Sequence, residues 1–204
     1  MIGPDETSAL LLRARELTGR PVVTLGGELE AEIKDVVFES DGGRIAGFTL
    51  RNQGLFSRAR KDALPWDAVH GVGRAAVMIR DVTQLVPATE LAPKKQARKG
   101  DVLADRVLTD SGRDLGTVVD VVLQGGAGLD VVGYEVEAGE ALGTGRRVFI
   151  PLPDTVSVSG ENLIVPASAA DFVSDDLAGF GAAVEGFRAR LRGGRDEEAD
   201  DAVQ

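Results

Sequence analysis

Apolar residues in this chain come in short runs broken by glycine. Val22-Val23-Thr24-Leu25 runs into Gly26-Gly27, a two-glycine turn of the kind that joins hairpin strands. EIKDVVFES (32–40) and RIAGFTLR (44–51) follow, the second with a glycine inside it. Glycine within a strand marks a bulge or a sharp curl, which a small barrel needs in order to close. The same order returns further on. Residues 19–39 line up with residues 104–124 at an offset of 85, so that Gly27 meets Gly112, Ile33 meets Val118, Asp35 meets Asp120 and Val36-Val37 meet Val121-Val122. After a one-residue shift Gly47-Phe48 pairs with Gly133-Tyr134 and Pro65 with Pro151, and AAVMI (75–79) falls opposite ENLIV (161–165). Glycine, aspartate and proline recurring in order indicate a repeat. Strands of four to seven residues at this spacing predict a small barrel or sandwich in each copy.

The period changes near the C-terminus. Leu177, Phe180, Val184, Phe187 and Leu191 recur at helical spacing, Ser168 precedes Asp171 by three residues, and Arg188, Arg190 and Arg192 follow late. This predicts an amphipathic helix over 168–192, followed by an acidic disordered tail over 193–204.

Composition narrows the chemistry. The 204 residues contain one histidine, His70, and no cysteine. That excludes disulfides, thiolate catalysis and cysteine-held metals, and leaves no histidine cluster for zinc. A nucleophile and a base cannot be paired from this inventory, so no catalytic residue, cofactor or metal ligand is expected. The net charge is −10, which argues against general nucleic-acid binding. It is unevenly spread: residues 1–99 carry 15 basic and 13 acidic side chains, residues 100–204 carry 8 and 20. No run approaches the roughly 18 apolar residues of a spanning helix, and the first residues lack the basic start of a secretory signal. The sequence reads as a soluble cytoplasmic protein.

The opening Gly19-x-x-Val22, the glycine turn at Gly27, Asp35 before paired aliphatics, Gly47 in the third strand and Pro65-Trp66-Asp67 together resemble the PRC-barrel family. The second copy keeps Val107, Gly112, Gly116, Asp120, Gly133 and Pro151, with Asp105 in place of Gly19 and Leu152 in place of Trp66. That family includes the cytoplasmic domain of the photosynthetic reaction-centre H subunit and the C-terminal domain of the ribosome maturation factor RimM. The resemblance implies a mainly β protein built as two small PRC-type β-barrels in tandem with a C-terminal amphipathic helix. The domains expected are a first barrel at 6–88, a basic linker at 89–100 and a second barrel at 101–167. It also implies a docking or assembly module and not an enzyme, which acts on another protein in the cytoplasm or at the inner face of the membrane. A membrane-peripheral accessory of an electron-transfer or transport complex and a ribosome or RNA-processing factor stay open as alternatives. The two barrels are expected to pair as an intrachain pseudo-dimer, and a homodimer is also open.

Candidate contact residues lie mainly in the first copy. The stretch RNQGLFSRARK (51–61) sets Leu55 and Phe56 among Arg58, Arg60 and Lys61, an apolar tip rimmed by cations. Trp66 belongs to the nearby Pro-Trp-Asp turn, and Phe180, Phe187 and Arg188 of the helix form a second candidate surface. For Asp35 and Asp120, bonding to local backbone is favoured over paired acid–base chemistry. His70 is expected at an exposed strand end.

Overall fold

A computed structural model describes residues 11–39, 44–52, 58–91, 102–125, 129–153, 157–159 and 162–201. The chain divides into two compact units, the first being Met1–Asp101 with Gln124–Val131 and the second Val102–Leu123 with Val132–Gln204.

In the first unit the strands are β1 (Leu11–Arg13), β2 (Pro21–Thr24), β3 (Leu29–Phe38), β4 (Ile45–Arg51), β5 (Ala59–Pro65), β6 (Val69–Val72), β7 (Val77–Ile79) and β8 (Val86–Pro87), followed by the single-turn helix α1 (Ala88–Leu91). Strands β2 to β8 form one sheet in the order β6-β7-β2-β3-β4-β5-β8. Neighbours are antiparallel except β2 and β7, which run parallel with Val22 opposite Val77. The sheet must curl. β5 and β6 stand five strand positions apart, about 24 Å if flat, yet only the 3-10 turn Trp66–Ala68 joins them, a reach of about 14 Å. Curling turns alternate side chains inward: Val22, Ile33, Phe48, Leu50, Leu64 and Ile79 are fully buried or nearly so. The short β7–β8 connection holds a second 3-10 turn, Val82–Gln84.

The second half repeats the plan with β9 (Arg106–Thr109), β10 (Asp114–Gly125), β11 (Leu129–Ala138), β12 (Arg147–Pro151), β13 (Ser157–Ser159) and β14 (Asn162–Val165). Their order is β12-β11-β10-β9-β14-β13, and β14 again lies parallel to β9, with Leu163 opposite Val107.

The repeat extends to individual hydrogen bonds. Gly19 N–H donates to Ile33 O at 2.8 Å and Ile33 N–H to Arg20 O at 2.9 Å; Ala104 N–H donates to Val118 O and Val118 N–H to Asp105 O, both at 2.9 Å. Gly19 has φ +81° and Ala104 φ +69°. The residue in the Gly19 position is therefore Ala104 and not Asp105, which corresponds to Arg20. Thr24 and Thr109 are both buried, and their hydroxyls accept the backbone N–H of Glu28 at 3.1 Å and of Arg113 at 2.9 Å, so each clamps its own turn. Gly47 pairs with Pro65 and Gly133 with Pro151. A Cβ on Gly47 would lie 2.2 Å from Leu64 O, and one on Gly133 2.4 Å from Ile150 O and from a Phe180 ring carbon. Strands cross too closely at both points for any side chain.

The C-terminal region differs from the sequence expectation. Residues Ala167–Phe172 form a 3-10 helix, and helix α2 spans Leu177–Asp201. The N-cap is Asp176, whose Oδ1 accepts Gly179 N–H at 2.6 Å, so helix formation begins there and not at Ser168. Helix also continues past 193 into the acidic segment, because Glu197, Glu198 and Ala199 are good helix formers and extending a seated helix costs far less than nucleating one.

Candidate functional site

Strand directions bring several chain segments to one end of the first unit. β2 and its parallel neighbour β7 end there; β3, antiparallel to β2, begins there, and so does β5, since both are antiparallel to β4 between them. Leu25 follows β2 and donates its N–H to Ile79 O at 2.9 Å, at the end of β7. Leu29 opens β3 opposite Val23. Arg60, near the start of β5, donates from Nη1 to Glu30 O at 2.9 Å. Lys61 and Val82 line one shallow cleft beside β8.

Three of the large apolar side chains most open to solvent among the described residues stand at this end: Leu25 is 52% exposed, Leu29 51% and Val82 41%. The sequence placed Leu25 inside a strand, and its exposure follows from β2 ending one residue earlier, at Thr24. Alignment with the second copy is the signal that could have found this pair. At the same offset of 85, Leu25 and Leu29 stand opposite Asp110 and Asp114. Those aspartates serve the fold: Asp110 accepts Ala167 N–H at 3.1 Å, and Asp114 accepts Gly116 N–H at 2.9 Å and Arg106 at 2.7 Å.

The cations expected around the 51–61 stretch have separate roles. Arg58 and Lys61 are exposed. Arg60 is committed within the protein, holding Asp62 through Nε at 2.8 Å and Nη2 at 2.6 Å. This pairing raises the Arg60 pKa and lowers that of Asp62, the hydrogen bond between them being the largest cause on both sides. Leu55 and Phe56 lie outside the described residues. Trp66 is half-buried at the opposite end of β5, edge-on to Phe48 with centroids 6.3 Å apart.

Of the helix residues expected as a contact surface, the two phenylalanines are turned inward. Phe180 and Phe187 are fully buried. Phe180 packs on Phe149, centroids 5.6 Å apart, and over Gly133; Phe187 packs on Phe172 at 5.5 Å. An apolar stripe on a helix following a barrel finds its own barrel first, because that contact adds no translational entropy cost. Arg188 sits beside this core and pairs with Glu185 at 3.6 Å.

The repeated aspartates bond locally. Asp35 is exposed; its Oδ2 accepts the Thr49 hydroxyl at 3.2 Å, and Lys34 lies 3.1 Å away. Asp120 is buried, and its Oδ1 accepts Val121 N–H at 2.8 Å. Tyr134, buried in the second unit, has a raised pKa, first from burial and then from the charge of Asp105. His70 is exposed on β6. Among the described residues no group of three or more acidic or histidine side chains could hold a metal ion, and no helix is long and apolar enough to cross a membrane.

The family model for the PRC-barrel domain matches the chain twice, over residues 11–85 and 96–172. No curated protein matches it.

Proposed function

Because the chain belongs to the PRC-barrel family, we propose that it is a non-enzymatic tandem-barrel adaptor whose first barrel docks onto another protein through the Leu25–Leu29 end. The observation that carries this reading is the contrast between copies. The turn framework is shared bond for bond, yet the first copy exposes leucines where the second uses its aspartates to hold its own backbone. Exposed leucines on a tight turn add nothing to the fold they sit on and suit burial by a partner. Arg58 and Lys61, exposed beside them, supply a polar rim. The cell interior is the expected location.

Affinity capture from the native cell tests the docking end, with wild-type chain and a Leu25→Asp/Leu29→Asp variant as baits. Both positions are exposed, so the variant keeps the fold and its recovery of a wild-type partner drops at least about tenfold. Unchanged recovery would sink the site. A second reading, peripheral seating on an anionic membrane, draws on the same apolar tip beside Arg58 and Lys61. Co-sedimentation with anionic vesicles at low salt, lost in the same variant, distinguishes it.

A further inference from the structure

The two copies close the outer edge of the sheet in the same way and then diverge. In the first, β8 pairs with β5, Val86 opposite Ala63. In the second, Ser174 bridges to Phe149, the residue equivalent to Ala63 given the matched Gly47–Pro65 and Gly133–Pro151 pairs. A helix follows within three residues in both: α1 after Val86, α2 after Ser174. α1 therefore corresponds to the first turn of α2. In the second copy α2 runs on along β12 and the 3-10 helix Ala167–Phe172, laying down Phe180, Val184 and Phe187, all buried. The described part of α1 ends at Leu91, and the sequence after it, APKKQARKGD (92–101), contains no aromatic residue and no Leu, Ile, Val or Met. Nothing in that segment can replace the stripe.

An open groove of about 440 Å³ lies at the matching place in the first unit. Its apolar wall is Pro65, Ala68, Val86 and Leu91. Gln84 also lines it, two residues before Val86, the place Phe172 holds before Ser174. Where Phe172 receives Phe187, the buried Gln84 Oε1 has no hydrogen-bond partner among the described residues. Asp67 and Glu90 stand exposed in its lining.

We infer that this groove is a seat for an amphipathic helix of a partner protein, with bulky apolar residues at i, i+4 and i+7 and basic residues on its flank. The second copy shows that this face of the fold takes a helix and which spacing it accepts. The carboxylates of Asp67 and Glu90 select arginine or lysine on the incoming helix, as Arg188, Arg190 and Arg192 accompany the stripe of α2. None of Leu25, Leu29, Arg58 and Lys61 lines the groove, so failure of either assignment leaves the other standing.

A synthetic peptide of residues 174–193 carries the required pattern and serves as the probe. Trp66, the only tryptophan in the chain, adjoins groove residues Pro65 and Asp67 and reports on occupancy. Titrating the full-length protein with this peptide is expected to give a saturable change in tryptophan fluorescence. In an Asp67→Lys/Glu90→Lys protein, whose changes are on exposed positions, the affinity falls about tenfold, equivalent to about 1.4 kcal/mol. A peptide with Phe180→Ala and Phe187→Ala gives no saturable change. Absence of saturation with the wild-type pair, equal affinity for the charge-reversed protein, or equal binding of the alanine peptide would each overturn the assignment.

Discussion

Ala104 holds a backbone conformation that its side chain opposes. Its φ of +69° lies in the left-handed region, where a Cβ approaches the following carbonyl and costs roughly 1–2 kcal/mol. The matching residue of the first copy is Gly19, with φ +81° and the same pair of flanking hydrogen bonds. Ala104→Gly removes the strain and returns part of the gain as unfolded-chain entropy, so a net stabilisation of about 0.5–1 kcal/mol is expected. Gly19→Ala should lose a similar amount, since a Cβ there meets nothing closer than an Arg51 nitrogen at 3.5 Å. Thermal melts of the two variants check both signs, and destabilisation by Ala104→Gly would refute the strain argument. Position 104 also shows where sequence reading loses precision. Gly27, Gly112, Gly47 and Gly133 announced their turns and close crossings, because glycine is the residue such places demand. An alanine in a glycine's role carries no such mark, and its neighbour Asp105 offers no better one. The threonine clamps at Thr24 and Thr109 were hidden for a similar reason: a Thr in a β-run reads as strand propensity, and its hydroxyl bond is visible only once the turn is formed.

Helix α2 shows what periodicity can and cannot reveal. Spacing identified the residues that would share a face, and Phe180, Val184 and Phe187 do share one, fully buried or nearly so. Spacing does not say what that face meets, and here it meets β12, Gly133 and Phe172 of its own unit. Nor did it fix the start. Ser168 followed by Asp171 reads as a cap, but the chain first spends Ser174 on pairing with Phe149, and only then does Asp176 cap the helix. Phe180→Ala should be costly, because the ring fills the space over Gly133 where even a Cβ would lie 2.4 Å from Phe180 itself. A loss of about 3–5 kcal/mol is expected on removing a ring from such a site. Arg188→Ala, which ends a partly exposed ion pair of 3.6 Å with Glu185, should change stability by less than about 1 kcal/mol. Denaturant unfolding followed by circular dichroism separates the two; equal effects would mean that α2 is not seated by its aromatic residues.

At the scale of the whole chain, charge divides the protein more sharply than fold does. Residues 1–99 are near balance, while residues 100–204 hold 20 acidic side chains against 8 basic. Among the ion pairs described in the second part, Arg106–Asp114 at 2.7 Å and Arg146–Asp175 at 2.5 Å keep both partners more than a third exposed, where a pair contributes about 0–1 kcal/mol. Acidic side chains outnumber basic ones there by 12, and their mutual repulsion opposes the compact state. Repulsion acts over longer distances than a salt bridge, so added salt weakens it more. Raising NaCl from about 10 mM to about 150 mM shortens the screening length from roughly 30 Å to roughly 8 Å. The expected outcome is that the melting temperature of the full chain rises by a few degrees over that range, measured by calorimetry at pH 7. A fall over the same range would show that the few ion pairs outweigh the excess of acid, and would reverse the order of these two effects.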